Sequence, residues 1–517
     1  MNQEPVISPI SLPEALQVIA KQGQQIDYLE EMVRLLKNEI FGRKSEKSQP
    51  ADQFQISLFE EEANEPVDVT KKIIVPEHTR DKKGRKPLSK DLPRIEVVHD
   101  IAEEDKVCAC GSELTVIGQD TSEKLDYIPA KLRVIRHIRP KYACRSCEGV
   151  EDDGPTVKIA PPPLQLIPKS YASEGLLAHL VVAKFVDALP LYRQEKIFKR
   201  LNIDLSRSTM SGWLVQVAQK CQPLIDLLAK EVRSGPLINA DETPVQVLKE
   251  PGRKNTTKSY MWVFRGGQMD SPALIYHYHP TRNGDVALSF LKGYKGYVQS
   301  DAFSGYEKLS KEKEIKRVGC WAHARRAFVK VVSAKKKNRS AGNPKGLADE
   351  ALDYIGALYK LEKDARINEL SFDEIYQMRQ SESRPLLESF KTWLDAKKGL
   401  TPPKGLLGKA IHYSLDNWGK LITYLEDGRL KPDNNAAENA IRPFVIGRKN
   451  WLFAGHPNGA MAAATFFSLI ETAKANGLEP YAYFRCLFEE IITANSEEDY
   501  RRLLPQYIDR GLMNAQK

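Results

Sequence analysis

At 517 residues the chain is too long for one core, since domains run to ~100–200 residues, and its 42% hydrophobic and 28% charged side chains are those of an ordinary soluble globular protein. A net charge of +9 with a pI near 8.9 suits a polyanionic partner. No stretch reaches the ~18–20 apolar residues that cross a bilayer, no signal peptide is evident, and seven cysteines make no disulfide framework, so the expectation is a cytoplasmic protein without a membrane partner, nucleoid-associated in a bacterial host.

Residues 1–43 carry the first predicted element. Ile19, Ile26, Val33 and Ile40 recur every seven residues, with Leu29 and Leu36 in the intervening seam. β-Branched residues at one seam position and leucines at the other favour a parallel two-stranded coiled coil, and hence a homodimer or higher oligomer. An amphipathic helix packed on its own protein is the other reading, because only about three good heptads exist. Residues 44–92 shift to charge, Pro and Gly, which predicts a basic, flexible linker. Its Gly84-Arg85-Lys86-Pro87 is either a minor-groove contact or simply solvated.

Residues 93–157 form a small cysteine module. Cys108 and Cys110, then Cys144 and Cys147, flank a stretch rich in β-formers. Four thiolates close a tetrahedral zinc site, and so small a module gains folding energy from the metal; incidental buried cysteines are the alternative. Cys144-Arg145-Ser146-Cys147 has the usual spacing, whereas Cys108-Ala109-Cys110 has one residue fewer.

Residues 165–232 are wholly helical in pattern. A helix over 191–201, a turn over 202–207 and a second helix opening at Ser208-Thr209-Met210, with Ser206 or Ser208 as N-cap, suit a helix-turn-helix DNA-binding domain as well as they suit plain helical packing. The period then changes. Pro236–Asp241, Ser259–Phe264 and Ala273–Tyr278 read as strands, a short helix follows near 285–291, and Gly296–Ser300 is a fourth strand. Residues 233–340 are thus one half of a sheet-bearing core. Residues 341–430 are a helical insertion, 431–480 the second half, and 481–517 a C-terminal helical segment.

Candidate chemistry lies in this core. Asp241 and Asp301 sit at or near the ends of apolar strands, and Glu438 in the first turn of a helix. Such side chains can converge from rigid backbones into a site for hard divalent cations, two of which activate water and steady a leaving oxygen in phosphoryl transfer. Taken alone, Asn435-Ala436-Ala437-Glu438 is also a capping box. Cys320 and His323 share a helix face, and two ligands alone point to structural support of the acids rather than zinc. Arg325, Arg326, Arg442, Arg448 and Lys449 supply charge for DNA phosphates.

In their order, these segments resemble the transposases of the insertion sequence 66 family. The resemblance rests on the zipper-like helix, Phe41-Gly42-Arg43-Lys44-Ser45-Glu46-Lys47, the cysteine module, Ala240-Asp241-Glu242-Thr243 and Ser300-Asp301-Ala302-Phe303-Ser304-Gly305-Tyr306. It continues through Cys320-Trp321-Ala322-His323-Ala324-Arg325-Arg326, Asn434-Asn435-Ala436-Ala437-Glu438-Asn439-Ala440-Ile441-Arg442-Pro443 and Gly447-Arg448-Lys449-Asn450-Trp451-Leu452-Phe453. The resemblance implies a multidomain α/β protein whose RNase H-like mixed sheet is split by the insertion, with Asp241, Asp301 and Glu438 as a DDE triad holding two Mg2+ or Mn2+ ions. It implies cleavage at terminal inverted repeats, joining of the freed 3′-hydroxyl to target DNA, and possible accessory proteins of the same element. A metal-dependent nuclease without strand transfer and an inactive DNA-binding regulator are the other function classes.

Overall fold

The computed structural model describes Gln22 and residues 132–143, 157–335 and 346–514. The seam of the N-terminal zipper, the linker, and Cys108, Cys110, Cys144 and Cys147 lie outside the described residues. The described residues fall in two compact units that divide between Pro162 and Pro163. From the first come β1 (Lys141–Ala143) and β2 (Val157–Ile159), paired antiparallel, with Tyr142 opposite Lys158.

The second unit begins with four helices: α1 (Glu174–Phe185), α2 (Leu191–Arg200), α3 (Arg207–Lys220) and α4 (Gln222–Val232). Ser173 and Ser206 cap α1 and α3 by accepting from the Leu176 and Thr209 backbone N–H groups. On α1 the buried residues, from Leu177 and Ala178 to Val181 and Phe185, cover most of the circumference and His179 alone is exposed, so this helix is largely enclosed rather than amphipathic.

Five strands follow in a mixed sheet: β3 (Leu237–Val247), β4 (Lys258–Gly267), β5 (Pro272–His279), β6 (Gly296–Gln299) and β7 (Ile315–Val318), with α5 (Asp285–Phe290) before β6. The order across the sheet is β5-β4-β3-β6-β7. The first three form an antiparallel meander and the last two run parallel to β3, which is the RNase H-like arrangement expected from the sequence. The helices α1–α4 and the sheet share one hydrophobic core, containing Leu177, Leu214, Leu228, Trp262, Phe264 and Phe467.

Helix α6 (Trp321–Lys335) leads into the insertion, which comprises α7 (Leu347–Ile367), α8 (Phe372–Met378), α9 (Arg384–Lys398), α10 (Leu406–Asp416) and α11 (Trp418–Ile422). The insertion has a core of its own around Trp321, Phe390, Trp418 and Tyr424, and the Trp321 indole N–H donates to Leu421 O at 2.8 Å. The chain returns through α12 (Asn435–Trp451), a two-residue β8 (Phe453–Ala454) beside β3, α13 (Pro457–Ala475) and α14 (Pro480–Glu490).

Strand β5 lies at one edge of the sheet, and α13 covers that edge with hydroxyls. Leu274 and Tyr276 donate their outward N–H groups to Thr472 Oγ1 at 3.0 Å and Ser468 Oγ at 2.8 Å. At the other edge, Gly319 N–H, next after β7, donates to Lys420 O at 2.8 Å. No helix among the described residues is long and apolar enough to cross a membrane.

Candidate active site

The site begins where β6 stops. Strands β3 and β6 pair in parallel only over Leu237–Asn239 and Tyr297–Gln299. Asp241 and Asp301 each stand two residues beyond the last pair, Asn239 opposite Gln299, so both acids emerge at the same level: Asp301 in the loop just past β6, and Asp241 within β3, which runs on to Val247 rather than ending at the acid. Past that point, among the described residues, β3 is joined on this side only by β8, at Gln246 and Val247. Asp241 therefore sits on a stretch of central strand left open between two partners.

Buried amides hold this opening in shape. Asn239, Gln299 and Asn434 are all nearly inaccessible. The Asn239 amide donates to Gln299 Oε1 and to Asn434 Oδ1, each at 3.0 Å. Asn434 in turn donates to Ala240 O at 2.9 Å, taking the place of a missing strand. Gln299 donates to Gly319 O and Lys431 O at 3.1 and 2.7 Å. The residue that precedes α12 is thereby locked to β3 directly and, through Asn239, to Gln299 of β6, although it lies 195 positions from Asn239. Buried amides left without partners cost about 1–3 kcal/mol each. Asn434→Ala is therefore expected to lower unfolding free energy by about 1–3 kcal/mol in a urea titration, and to weaken any chemistry that needs Glu438 in register.

Strand pleating separates the two acids of Ala240-Asp241-Glu242-Thr243. Glu242 is buried; Arg282 Nη2 meets its Oε1 at 2.6 Å, and Tyr306 Oη donates to Oε2 at 2.6 Å. Burial pushes its carboxyl up, against the pull of Tyr306 and Arg282. Its partners make it a clamp on the loops that follow β5 and Asp301. Asp241 accepts from Glu242 N–H at 2.9 Å and, among the described residues, forms no ion pair. Burial above all, then the charges of Glu242, Asp301 and Glu438, push its carboxyl up to about 7 against the backbone hydrogen bond.

Asp301 accepts from Phe303 N–H at 3.0 Å and so turns the chain into a short 3-10 helix, Ser304–Lys311. Beneath it the buried Arg317 of β7 donates to Ser300 Oγ at 2.7 Å and to Asp301 O at 3.3 Å. In the same loop Gly305 is tightly approached, since a Cβ on Gly284 would fall 1.9 Å from Gly305 O.

Glu438 lies in the first turn of α12 and is not a cap: Asn434 makes no side-chain capping bond there. It faces the start of α6 instead. Arg326 approaches its Oε2 at 3.4 Å, and His323 Nδ1 lies 3.7 Å from its Oε1. Cys320, His323 and Glu438 are the group of possible metal ligands that lies closest together among the described residues, with ligand atoms within 4.8 Å of one another. Burial lowers the His323 imidazole, with Arg326 lowering it further and Glu438 and Asp301 raising it. Burial pushes the Cys320 thiol up to about 11. Asp301 and Glu438 thus reach Asp241 through their charge, while Glu438 has its nearest partners in His323 and Arg326.

The basic residues expected at the site divide into two groups. Arg325 is half-buried and Arg326 exposed near Glu438. Arg442 and Lys449 are exposed on α12, and Arg448 donates to Thr243 Oγ1 at 3.2 Å on the face that Asp241 shares. Farther along the chain toward its start, α2 and α3 are joined by a short turn. Helix α3 exposes Arg207, Ser208, Ser211, Gly212, Gln216, Gln219 and Lys220, with no acidic residue among them.

Sequence reasoning missed Asn239, Gln299 and Arg317. A signal existed for the first two: each is a polar residue inside an apolar strand, two positions before an acid. Arg317 left only the weaker sign of a charge within the short strand Ile315-Lys316-Arg317-Val318.

Comparison with known proteins gives four matches. Residues 169–462 match a family described as "Transposase IS66 family", and 105–148 match "zinc-finger binding domain of transposase IS66". Residues 28–97 match "Transposase C of IS166 homeodomain", and 468–506 match "IS66 C-terminal element". Among relatives, uncharacterized protein y4jD of Sinorhizobium fredii is 35% identical over 423 residues, covering 79% of each chain. Uncharacterized protein y4qI of the same organism is 31% identical over 502 residues, 93% of this chain and 89% of its own.

Proposed function

The chain belongs to the IS66 transposase family, and from that premise we propose that it binds the ends of an insertion sequence, cuts phosphodiesters there and joins the 3′-hydroxyl ends to target DNA. The observation that carries this reading is the placement of Asp241 on β3 and of Asp301 just past the parallel β6 at one level, with the charge of Glu438 acting on Asp241. A half-buried carboxylate raised by burial and then by its acidic neighbours fits a divalent cation such as Mg2+ or Mn2+. Asp241, Asp301 and Glu438 would hold the metal, two ions in all, and what it supplies is activation of the attacking oxygen and stabilisation of the leaving one.

The protein's own groups do the rest. The amides of Asn239, Gln299 and Asn434 keep the acids in register. Glu242 and Arg317 fix the loop of Asp301. Arg326, Arg442, Arg448 and Lys449 lie along α6 and α12, where a phosphate backbone bound at the acids would pass. The acid-free face of α3 suits a groove of the terminal repeat in the manner of a helix-turn-helix. The four cysteines of the N-terminal module suit structural zinc, consistent with the zinc-finger family matched there. The zipper seam would pair two copies, one for each end, with accessory proteins of the same element as further partners. In a bacterial host the place of action is the cytoplasmic nucleoid.

Labelled terminal-repeat DNA incubated with the full chain, target DNA and Mn2+ tests the proposal. Cleavage followed by joining is expected for the natural sequence, with both lost in Asp301→Asn and Glu438→Gln. Cleavage without joining would make the protein a nuclease, and binding without cleavage a DNA-binding regulator. Affinity for the repeats should fall steeply between 50 and 200 mM salt, by roughly a hundredfold or more if several phosphates are neutralised.

A further inference from the structure

We propose that Cys320, His323 and Glu438 form a zinc-type metal position beside the Asp241–Asp301 pair, distinct from the cysteine module and selective for soft or borderline ions over Mg2+. Three observations converge on it. The ligand atoms of the three side chains lie within 4.8 Å of one another. His323 Nδ1 and Glu438 Oε1 are both buried atoms without a hydrogen-bond partner, and they face each other across 3.7 Å. That gap is too long for a hydrogen bond, and an ion with bonds of about 2 Å to each would span it with little movement. The third observation concerns the sulfur: Asn434 N–H donates to Cys320 Sγ at 3.2 Å, the kind of outer contact that steadies a metal-bound thiolate.

The local fold explains the convergence. Cys320 immediately precedes α6 and His323 lies in its first turn, so a spacing of three sets both on one side. Trp321 N–H donates to Pro432 O at 2.9 Å, which fastens this turn to the segment leading into α12 and Glu438. Arg326 meets the other Glu438 oxygen, Oε2, only at 3.4 Å; Oε1 would serve this ion, and Oε2 the cation of the proposed DNA chemistry. Sulfur, imidazole and carboxylate together select zinc, cobalt or cadmium, whereas Mg2+ demands an oxygen cage. Three protein ligands leave a fourth position open. An ion there would tie the two helices that bracket the insertion and fix the rotamer of Glu438, which the proposed DNA chemistry also uses.

The test is metal content and cobalt spectroscopy on the full chain. Cys320→Ser and His323→Gln are each expected to carry about one equivalent of zinc fewer than the natural sequence. A full-length variant with Cys108, Cys110, Cys144 and Cys147 all changed to Ser is expected to bind about one equivalent of Co2+ with a thiolate-to-cobalt absorption band. That band should disappear when Cys320→Ser is added. Unchanged zinc content in both single variants, or no thiolate band in the quadruple variant, would overturn the proposal. Asp241→Asn separates the two readings: it should keep the metal count and lose DNA cleavage. Retained cleavage would defeat the proposed function and leave the cobalt result standing.

Discussion

Replacing Asp241 with Asn is expected to abolish DNA strand cleavage, by about a thousandfold or more, while making the protein more stable. The carboxyl is held at about 7 in the fold, against an ordinary value of 3.8. A group whose folded pKa is raised binds protons more readily in the native state. Stability is therefore lost as pH rises from about 4 to about 7 and stays at its lower level above that. Because Asp241 is only partly enclosed, the penalty is about 2 kcal/mol rather than the full linkage value. Thermal unfolding of the two proteins should coincide near pH 4 and separate by pH 8, with the Asn variant melting higher. Saturating Mg2+ or Mn2+ should raise the melting temperature of the natural sequence at pH 8 and leave the variant nearly unmoved. A variant that melts lower at pH 8 would mean that Asp241 is not the strained acid of the cluster.

The largest effect expected on folding comes from Arg379→Ala. Arg379 is 1% exposed, in a π-helical turn (Arg379–Ser383) between α8 and α9. It meets Glu362 through two bonds of 2.7 Å and donates to the carbonyls of Tyr424, Asp427 and Leu430, each at 2.8 Å. Truncation strands a partly buried carboxylate and three carbonyls, and removing one partner of such an arrangement costs about 3–5 kcal/mol. Lys cannot replace it, because an ammonium lacks the planar fork that reaches five acceptors. The three carbonyls belong to the return path from the insertion, four to ten residues before Asn434. Loss of Arg379 should therefore loosen the approach to Glu438 as well as the insertion. Hydrogen exchange at 424–434 should rise more than exchange in β3 or β4, whereas a uniform rise would point to global unfolding alone.

The sequence exposed the acids and the order of elements because these follow local rules. A meander marked by Gly266-Gly267 and Ser271-Pro272, an apolar strand just before Asp301 and a helix opened by Ser206 need only a few neighbouring residues, whereas the strand read as ending at Asp241 runs on to Val247 because β4 pairs with it as far as Gln246. The interplay of Asn239, Gln299 and Asn434 is invisible to such rules, since each bond joins segments tens to hundreds of positions apart. Glu242 shows the same limit. It stands next to Asp241 in sequence with the same charge, and only the pleat and its partners Arg282 and Tyr306 give it a different task. For Glu438, local pattern favours a cap; in the fold it turns toward His323 and Arg326 instead. The four module cysteines and the zipper seam fall outside the described residues, so their readings rest on spacing and on the families matched there.

The hydroxyls of Thr472 and Ser468 along β5, and Lys420 O beside Gly319, bear on how copies of the chain can meet. A sheet with a bare margin recruits another strand from any neighbour, and copies of the chain would then risk uncontrolled polymerisation. Here one margin is occupied by a helix of the same chain and the other is engaged by the insertion. At the β5 margin another chain could therefore meet this one only through side-chain surfaces, whose geometry can be selective. The β5 margin of the sheet, its outward N–H groups already engaged, is closed to strand exchange.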